Sequence, residues 1–387
     1  MVIYKNKESC IGCGNCSLVC PTNSISLRFD EKGFVYPKVN DNTCVQCGSC
    51  KTVCPTYCTN RIEVEKKKVF SYSSDNEHVL ANSSSGGMFS YLCEVILKKE
   101  GYVCGAVFND SFEVEHIVSD NPVDIDRMRK AKYSQSQIND CFAKIKILLE
   151  GNKPILFSGT PCQVLALKTF LRKDYDNLYT VDLVCSGVPS PLVFNEYKRS
   201  LCKKYGEIKG FSFRDKKDGW EPYFLCYEGN NGKCYSSHYY DPYMQGFLRG
   251  LYVRPSCENC IVKETTGYCS DLTIGDFWGI KSISQNDYKS GGVSAVLPHT
   301  EKGFSLLKGL NCIEQEYDKF CNANPKYKSC MKKSPKSEEF YNNIKNKDFR
   351  LNVYHCLDTT LFKMQIKIFR DKYYGWKNRV KKRLNLK

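Results

Sequence analysis

Two stretches of the chain repeat one cysteine spacing. Cys10, Cys13, Cys16 and Cys20 are followed by Pro21, and Cys44, Cys47, Cys50 and Cys54 by Pro55, each a C-x2-C-x2-C-x3-C-P run. With this spacing small electron carriers hold two [4Fe–4S] clusters, the fourth cysteine of each run serving the other cluster. Three closely spaced thiolates wrap one cubane from a tight loop, while the fourth points away. One cluster is therefore expected on Cys10, Cys13, Cys16 and Cys54, and the other on Cys44, Cys47, Cys50 and Cys20. Zinc sites gather four ligands per metal and have no need of two interlocked runs ending in Cys-Pro.

A second set of thiols lies farther along. Cys162 follows a short apolar run at 154–157 and the turn Ser158-Gly159-Thr160, and residues 163–172 then read as a buried helix. The plan recurs with a strand at 178–184, Cys185 in the next turn, and a helix at 192–201. Two such units predict neighbouring parallel strands with right-handed crossovers. Both cysteines then stand at strand C-terminal ends, the edge where open α/β sheets bind ligands. Cys257 and Cys260 add a C-x2-C pair after Arg254-Pro255-Ser256. Four thiols at one edge suit a third [4Fe–4S] cluster or a zinc ion, and any one of them taken singly could be an inert core thiol. Ser83-Ser84-Ser85-Gly86-Gly87 opens a helix over 88–99, a start that suits an anion or a plain cap. A buried strand over 102–108 and a helix over 142–150 complete the frame.

The bulk properties narrow the class. Of 387 residues 42% are hydrophobic and 26% charged, ordinary for a protein with a sizeable core. No apolar run reaches the ~18 residues of a membrane span, and MVIYKNKESC lacks the apolar core of a signal peptide. The 24 cysteines are then expected in a reducing cytoplasm, where thiol-rich chains bind metal more often than they form disulfides. Of the net charge of +15, the stretch 361–387 supplies +9, with Asp371 its one acid. The body is therefore a poor candidate for nucleic-acid binding. The basic, aromatic-bearing tail could reach an anionic membrane surface or an acidic partner, or be a solvated helix.

Taken together, SSGGMFSYL at 84–92, KYSQS at 132–136, LFSGTPCQVLAL at 156–167, DLVCSGVPSP at 182–191, the Arg254–Cys260 stretch and DLTIGDFWG at 271–279 resemble the beta subunit of coenzyme F420-reducing hydrogenase and dehydrogenase. The resemblance covers about residues 1–335 and is strongest to bacterial forms with a fused two-cluster ferredoxin module, often linked with surface-polysaccharide loci. It implies FAD and a [4Fe–4S] cluster in the body, with Cys162, Cys185, Cys257 and Cys260 matching the family's cysteines. It also implies that Ser84, Ser85, Gly86, Gly87, Lys132, Tyr133, Ser136 and Thr160 lie near the flavin or its substrate. The family commonly has Gly-Ser before Lys-Tyr, whereas this chain has Lys130-Ala131.

The resulting expectation is an α+β ferredoxin-like dicluster module fused to an α/β flavin-binding body with a partly parallel sheet and a helical basic C-terminal tail. Its divisions are 1–60 for the module, 61–80 for a linker, 81–150 and 151–335 for the two parts of the body, and 336–387 for the tail. The expected activity moves electrons between a small two-electron partner at FAD, F420-like or other, and the clusters or a redox partner protein such as ferredoxin. A non-enzymatic electron-carrier subunit is the alternative. Lys132, Arg214 and Lys216 are candidates for meeting anionic groups, though each alone reads as a surface charge. Asp276 and Trp278 are candidates for the pocket wall, and His116, His238 and His299 have no partner visible in the sequence.

Overall fold

The structure, a computed structural model, describes residues 3–58 and 67–359. In the module, Gly14 and Gly48 take positive φ (82° and 76°) and turn the chain into the short helices Asn15–Leu18 and Ser49–Thr52. A side chain is strained in that left-handed region, so glycine is what lets each cysteine loop curl inward. β1 (Ile25–Phe29) and β2 (Val35–Val39) form an antiparallel hairpin beside them.

The body strands are β3 (Val69–Tyr72), β4 (Tyr102–Phe108), β5 (Val114–Ser119), β6 (Ile155–Ser158), β7 (Leu178–Leu183), β8 (Gly210–Asp215), β9 (Phe224–Gly229), β10 (Gly232–Ser237), β11 (Leu272–Asp276), β12 (Ser294–Pro298) and β13 (Ile313–Gln315). Eight of them make one sheet in the order β13-β3-β12-β11-β7-β6-β4-β5, and β10-β9-β8 make a separate one. The central strands β4, β6, β7 and β11 are parallel to one another, and the outer pairings are antiparallel. Helix Pro161–Leu171 carries the chain from β6 to β7 as expected. After β7, helix Pro191–Tyr205 leads instead to β8, and the second parallel neighbour of β7 arrives much later as β11.

β6 is apolar throughout because both its faces are covered. Ile155 and Phe157 pack with Phe142, Val164 and Leu167 from the helices on one side. Leu156, between them in the alternation, packs with Met88, Leu92 and Ile96 on the other. β7 carries a cost in the same layer. Asp182 is fully buried, and burial pushes its carboxyl from 3.8 up to about 7, against the Thr273 hydroxyl that donates to it at 2.5 Å. The unfolded chain releases this proton near 4 and the folded chain holds it to about 7, so Asp182 makes stability fall as pH rises between those values. Asp182→Asn is expected to flatten that slope in urea melts; an unchanged slope would assign it to other groups.

Two divisions expected from the sequence need correction. Val69–Tyr72, placed with the linker, is an internal strand that pairs with β12 and β13. Residues 336–359, placed with the tail, fold into helices Ser337–Asn343 and Phe349–Cys356. Their Phe340, Phe349 and Val353 pack into a core around Phe194, Phe213 and Tyr243. The basic stretch 361–387 lies outside the described residues. Among the described residues no helix is long and apolar enough to cross a membrane.

The module is docked firmly on the body. Asn15, wholly buried, donates from Nδ2 to Ala166 O at 2.8 Å and Val53 O at 3.1 Å, tying the first cysteine loop to helix Pro161–Leu171. At the hairpin turn Gly33 lies so close to helix Pro191–Tyr205 that a Cβ there would stand 2.3 Å from Leu192 Cβ.

Candidate functional site

The eight module cysteines divide as the two crossed runs require. Cys10, Cys13, Cys16 and Cys54 line one small interior space, and Cys20, Cys44, Cys47 and Cys50 line another. In the first space burial pushes the Cys16 thiol up to about 12, and Cys10 and Cys54 push it the same way. Cys13 is raised by burial and by Cys16, Cys10 and Cys54. Cys50, by contrast, acts on Cys16 from the second space, so the two sites adjoin. Ser24 N donates to Cys20 Sγ at 3.3 Å, and Thr56 Oγ1 lies 3.1 Å from Cys54 Sγ.

The body brings its four candidate thiols together from three places. Cys162 sits in the first turn of helix Pro161–Leu171, Cys185 just past β7, and Cys257 and Cys260 on the turn after Arg254. Burial pushes the Cys162 thiol up to about 12, with Cys260 and Cys185 adding to it. Cys257 is raised further by burial and by Cys185, Cys162 and Cys260, while Cys185 also feels Cys260, so every pairing is in electrostatic contact. Gly187 N donates to Cys185 Sγ at 3.3 Å, and Thr160 Oγ1 is 3.2 Å from Cys162 Sγ. Such thiols stay protonated unless a metal centre takes their place as counter-charge. Among the described residues no three His, Cys, Asp or Glu side chains meet closely enough to hold a single ion.

Beside Cys185 opens a cavity of about 410 Å³, within the range of small-molecule and cofactor sites. Its wall includes Ser84, Ser85, Gly87, Lys132, Tyr133, Ser136 and Thr160. Gly86 is not on it: Gly86 N donates to Ser294 Oγ, and a Cβ at Gly86 would meet Tyr72 O at 2.1 Å. Gln163 Nε2 donates to Ser136 Oγ at 2.9 Å and its Oε1 accepts from Thr160 N at 2.9 Å, so one side chain joins cavity wall and cysteine turn. The helix Met88–Leu97 starts at the wall with no side-chain cap, and the Ser90 hydroxyl and Asn324 Oδ1, both on lining residues, are buried without partners.

Three cations read as surface charges are interior. Arg214 pairs through both terminal nitrogens with Asp276 at 2.7 and 2.8 Å, and its guanidinium also reaches Tyr133 Oη and Ser84 O. Burial would lower its pKa, but Asp276 holds it above the ordinary value. Lys132 Nζ donates to the carbonyls of Arg127, Arg129 and Lys130, and Lys216 Nζ to those of Leu80, Ser85 and Gly291. They clasp the loops that form the wall. Asp276 and Trp278 do line the cavity, with Trp220 stacked on Trp278 at 5.1 Å.

Residues 152–326 match the family model for the C-terminal region of the coenzyme F420 hydrogenase/dehydrogenase beta subunit, and residues 9–58 match the 4Fe-4S dicluster domain. The chain is a beta-subunit relative with a dicluster module in front. No curated protein matches it. Among solved structures it is similar to a chain of the F420-reducing [NiFe] hydrogenase complex from Methanosarcina barkeri, at 14% identity and a TM-score of 0.45, over 70% of this chain and 92% of that one.

The beta-subunit body departs from its family's common Gly-Ser at Lys130-Ala131, and the backbone explains what that costs. Lys130 has φ 65°, the left-handed region that glycine enters freely and other residues enter at about 1–2 kcal/mol. Ala131 N donates to Ser84 Oγ at 2.8 Å, which holds the turn against the Ser84 loop. His116, also on the wall, gives its Nε2 proton to Ser158 O at 3.0 Å and stacks on Phe157. Burial pushes it down to about 4, so the ring is neutral. His299 meets the Thr273 hydroxyl at 2.7 Å, and His238 meets Tyr223 O at 2.9 Å.

Proposed function

We propose that this iron–sulfur protein is a flavin-dependent oxidoreductase that moves electrons between a small two-electron partner and a redox partner protein. The observation that carries this reading is the shared wall: Cys185 and Thr160 border both the 410 Å³ cavity and the four-thiol site, and that site lies against the module. A flavin supplies the exchange between a two-electron partner and single electrons. For such a ring the chain offers a cavity closed by Tyr133 and Trp278, and at its uncapped helix start the N–H groups and the Ser90 hydroxyl to meet phosphate. Lys132, Lys216 and the Arg214–Asp276 pair keep these walls in place.

Three [4Fe–4S] clusters complete the proposal. Cys162, Cys185, Cys257 and Cys260 hold the one nearest the cavity. Cys10, Cys13, Cys16 and Cys54 hold the middle one, and Cys20, Cys44, Cys47 and Cys50 the outer one. Cys47 is exposed and Val45 beside it is 63% exposed, so the redox partner docks at that end. Anaerobic purification with iron, sulfide and flavin assays tests the scheme. About twelve irons with one flavin support it, and about eight irons without flavin make the chain a non-enzymatic electron carrier instead.

A further inference from the structure

The body contains two deeply buried arginines, and their surroundings differ. Arg214 has the Asp276 carboxylate. Arg254, 1% exposed, gives its Nε proton to Cys10 O at 2.8 Å, Nη1 to Gln135 Oε1 at 2.9 Å and Nη2 to Val35 O at 2.9 Å. Its guanidinium lies over the rings of Tyr36 at 4.5 Å and Phe34 at 5.4 Å. All of these partners are neutral, and among the described residues no carboxylate pairs with it. A buried cation without a counter-charge is strongly disfavoured.

The groups able to carry negative charge near Arg254 are thiols, and they come from both sides of the module–body junction. Its positive charge acts on Cys10 of the middle cluster site and on Cys162 of the body site, and it is followed two residues later by the turn to Cys257. Packing fixes the guanidinium there: at Gly12, between Cys10 and Cys13, a Cβ would stand 2.8 Å from Nη1. Gln135 braces the same loop by donating to Ile11 O at 3.2 Å.

We propose that Arg254 is the shared counter-charge of the body cluster and the middle cluster, holding the reduction potentials of both above what their thiolate ligands alone would give. A cluster with four thiolates is net negative and becomes more so on taking an electron, and nearby charge is one of the levers that set its potential. One fixed cation facing two clusters favours the electron on either of them over the outer one. Arg254 is in this sense a positioning residue for electrons, and the proposal rests on the three-cluster reading above.

The test is a potentiometric titration of the anaerobically purified holoprotein, followed by electron paramagnetic resonance. In Arg254→Gln the potentials of two of the three clusters are expected to fall while the third stays put, and Arg254→Lys, which keeps the charge, is expected to restore them in large part. Gln135→Glu leaves the arginine in place and sets a carboxylate on it; the same two potentials should fall. Unmoved potentials, an equal shift of all three, or loss of iron from both neutralising variants would overturn the proposal and leave Arg254 a staple. Wild-type iron of about eight per chain would instead sink the three-cluster reading itself.

Discussion

Replacing Cys162 and Cys257 together by serine is expected to remove about four of about twelve irons while the module keeps its eight. The two residues come from different elements, a helix start and the turn after Arg254, so the double change opens the site from opposite sides. Serine nearly matches cysteine in volume, and neither thiol makes a hydrogen bond to a distant element that its loss would break. The folded body should therefore survive, with a far-ultraviolet spectrum unchanged. A bound flavin should remain reducible by its two-electron partner, yet the module clusters should no longer be reduced at the wild-type rate. Unchanged iron in the double variant would remove the body cluster from the scheme.

The second large effect is expected at Asp276. Its carboxylate accepts two bonds from Arg214 and one from Trp220 Nε1 at 2.8 Å, with the arginine side chain 3% exposed and the acid 14%. Asp276→Ala leaves the guanidinium buried and uncompensated, a change worth about 3–5 kcal/mol. The thermal midpoint should fall by about 10 °C. Because the same guanidinium holds Tyr133 and Ser84 at the cavity wall, flavin content should fall with it. Removing the charges together, as Arg214→Met with Asp276→Leu, should recover part of the stability but not the flavin. If Asp276→Ala melts as the wild type does, the pair contributes nothing net to the fold.

What the sequence revealed follows from how local each signal is. The cysteine runs are legible because chelation by closely spaced thiols is a short-range matter, and the crossed division of ligands follows from the fourth cysteine of each run. The body thiols Cys162 and Cys185 are legible because strand–turn–helix grammar puts both at one sheet edge. β3 is hidden since its neighbours in the sequence are charged, while its partners, Ser294–Val296 and Ile313–Gln315, lie far along the chain. The same distance conceals Lys132 and Lys216, whose partners are backbone carbonyls with no signature in residue type. Gln163, which links cavity wall to cysteine turn, sits within a helix that periodicity reads only as buried. Helices Ser337–Asn343 and Phe349–Cys356 read as tail because of the charge that follows them, though their aromatic residues are core.

The exposure of the module thiols sets an order of vulnerability. Cys47 is open to solvent, Cys16 and Cys50 are buried, and Leu27 closes over the space around Cys13. Dissolved oxygen would meet the outermost cluster before the others, and the first oxidative damage would disconnect the partner protein while leaving the inner centres intact. A poisoned molecule would then fall silent toward its partner sooner than it would lose its flavin chemistry. Brief aeration should accordingly abolish electron delivery ahead of small-molecule turnover.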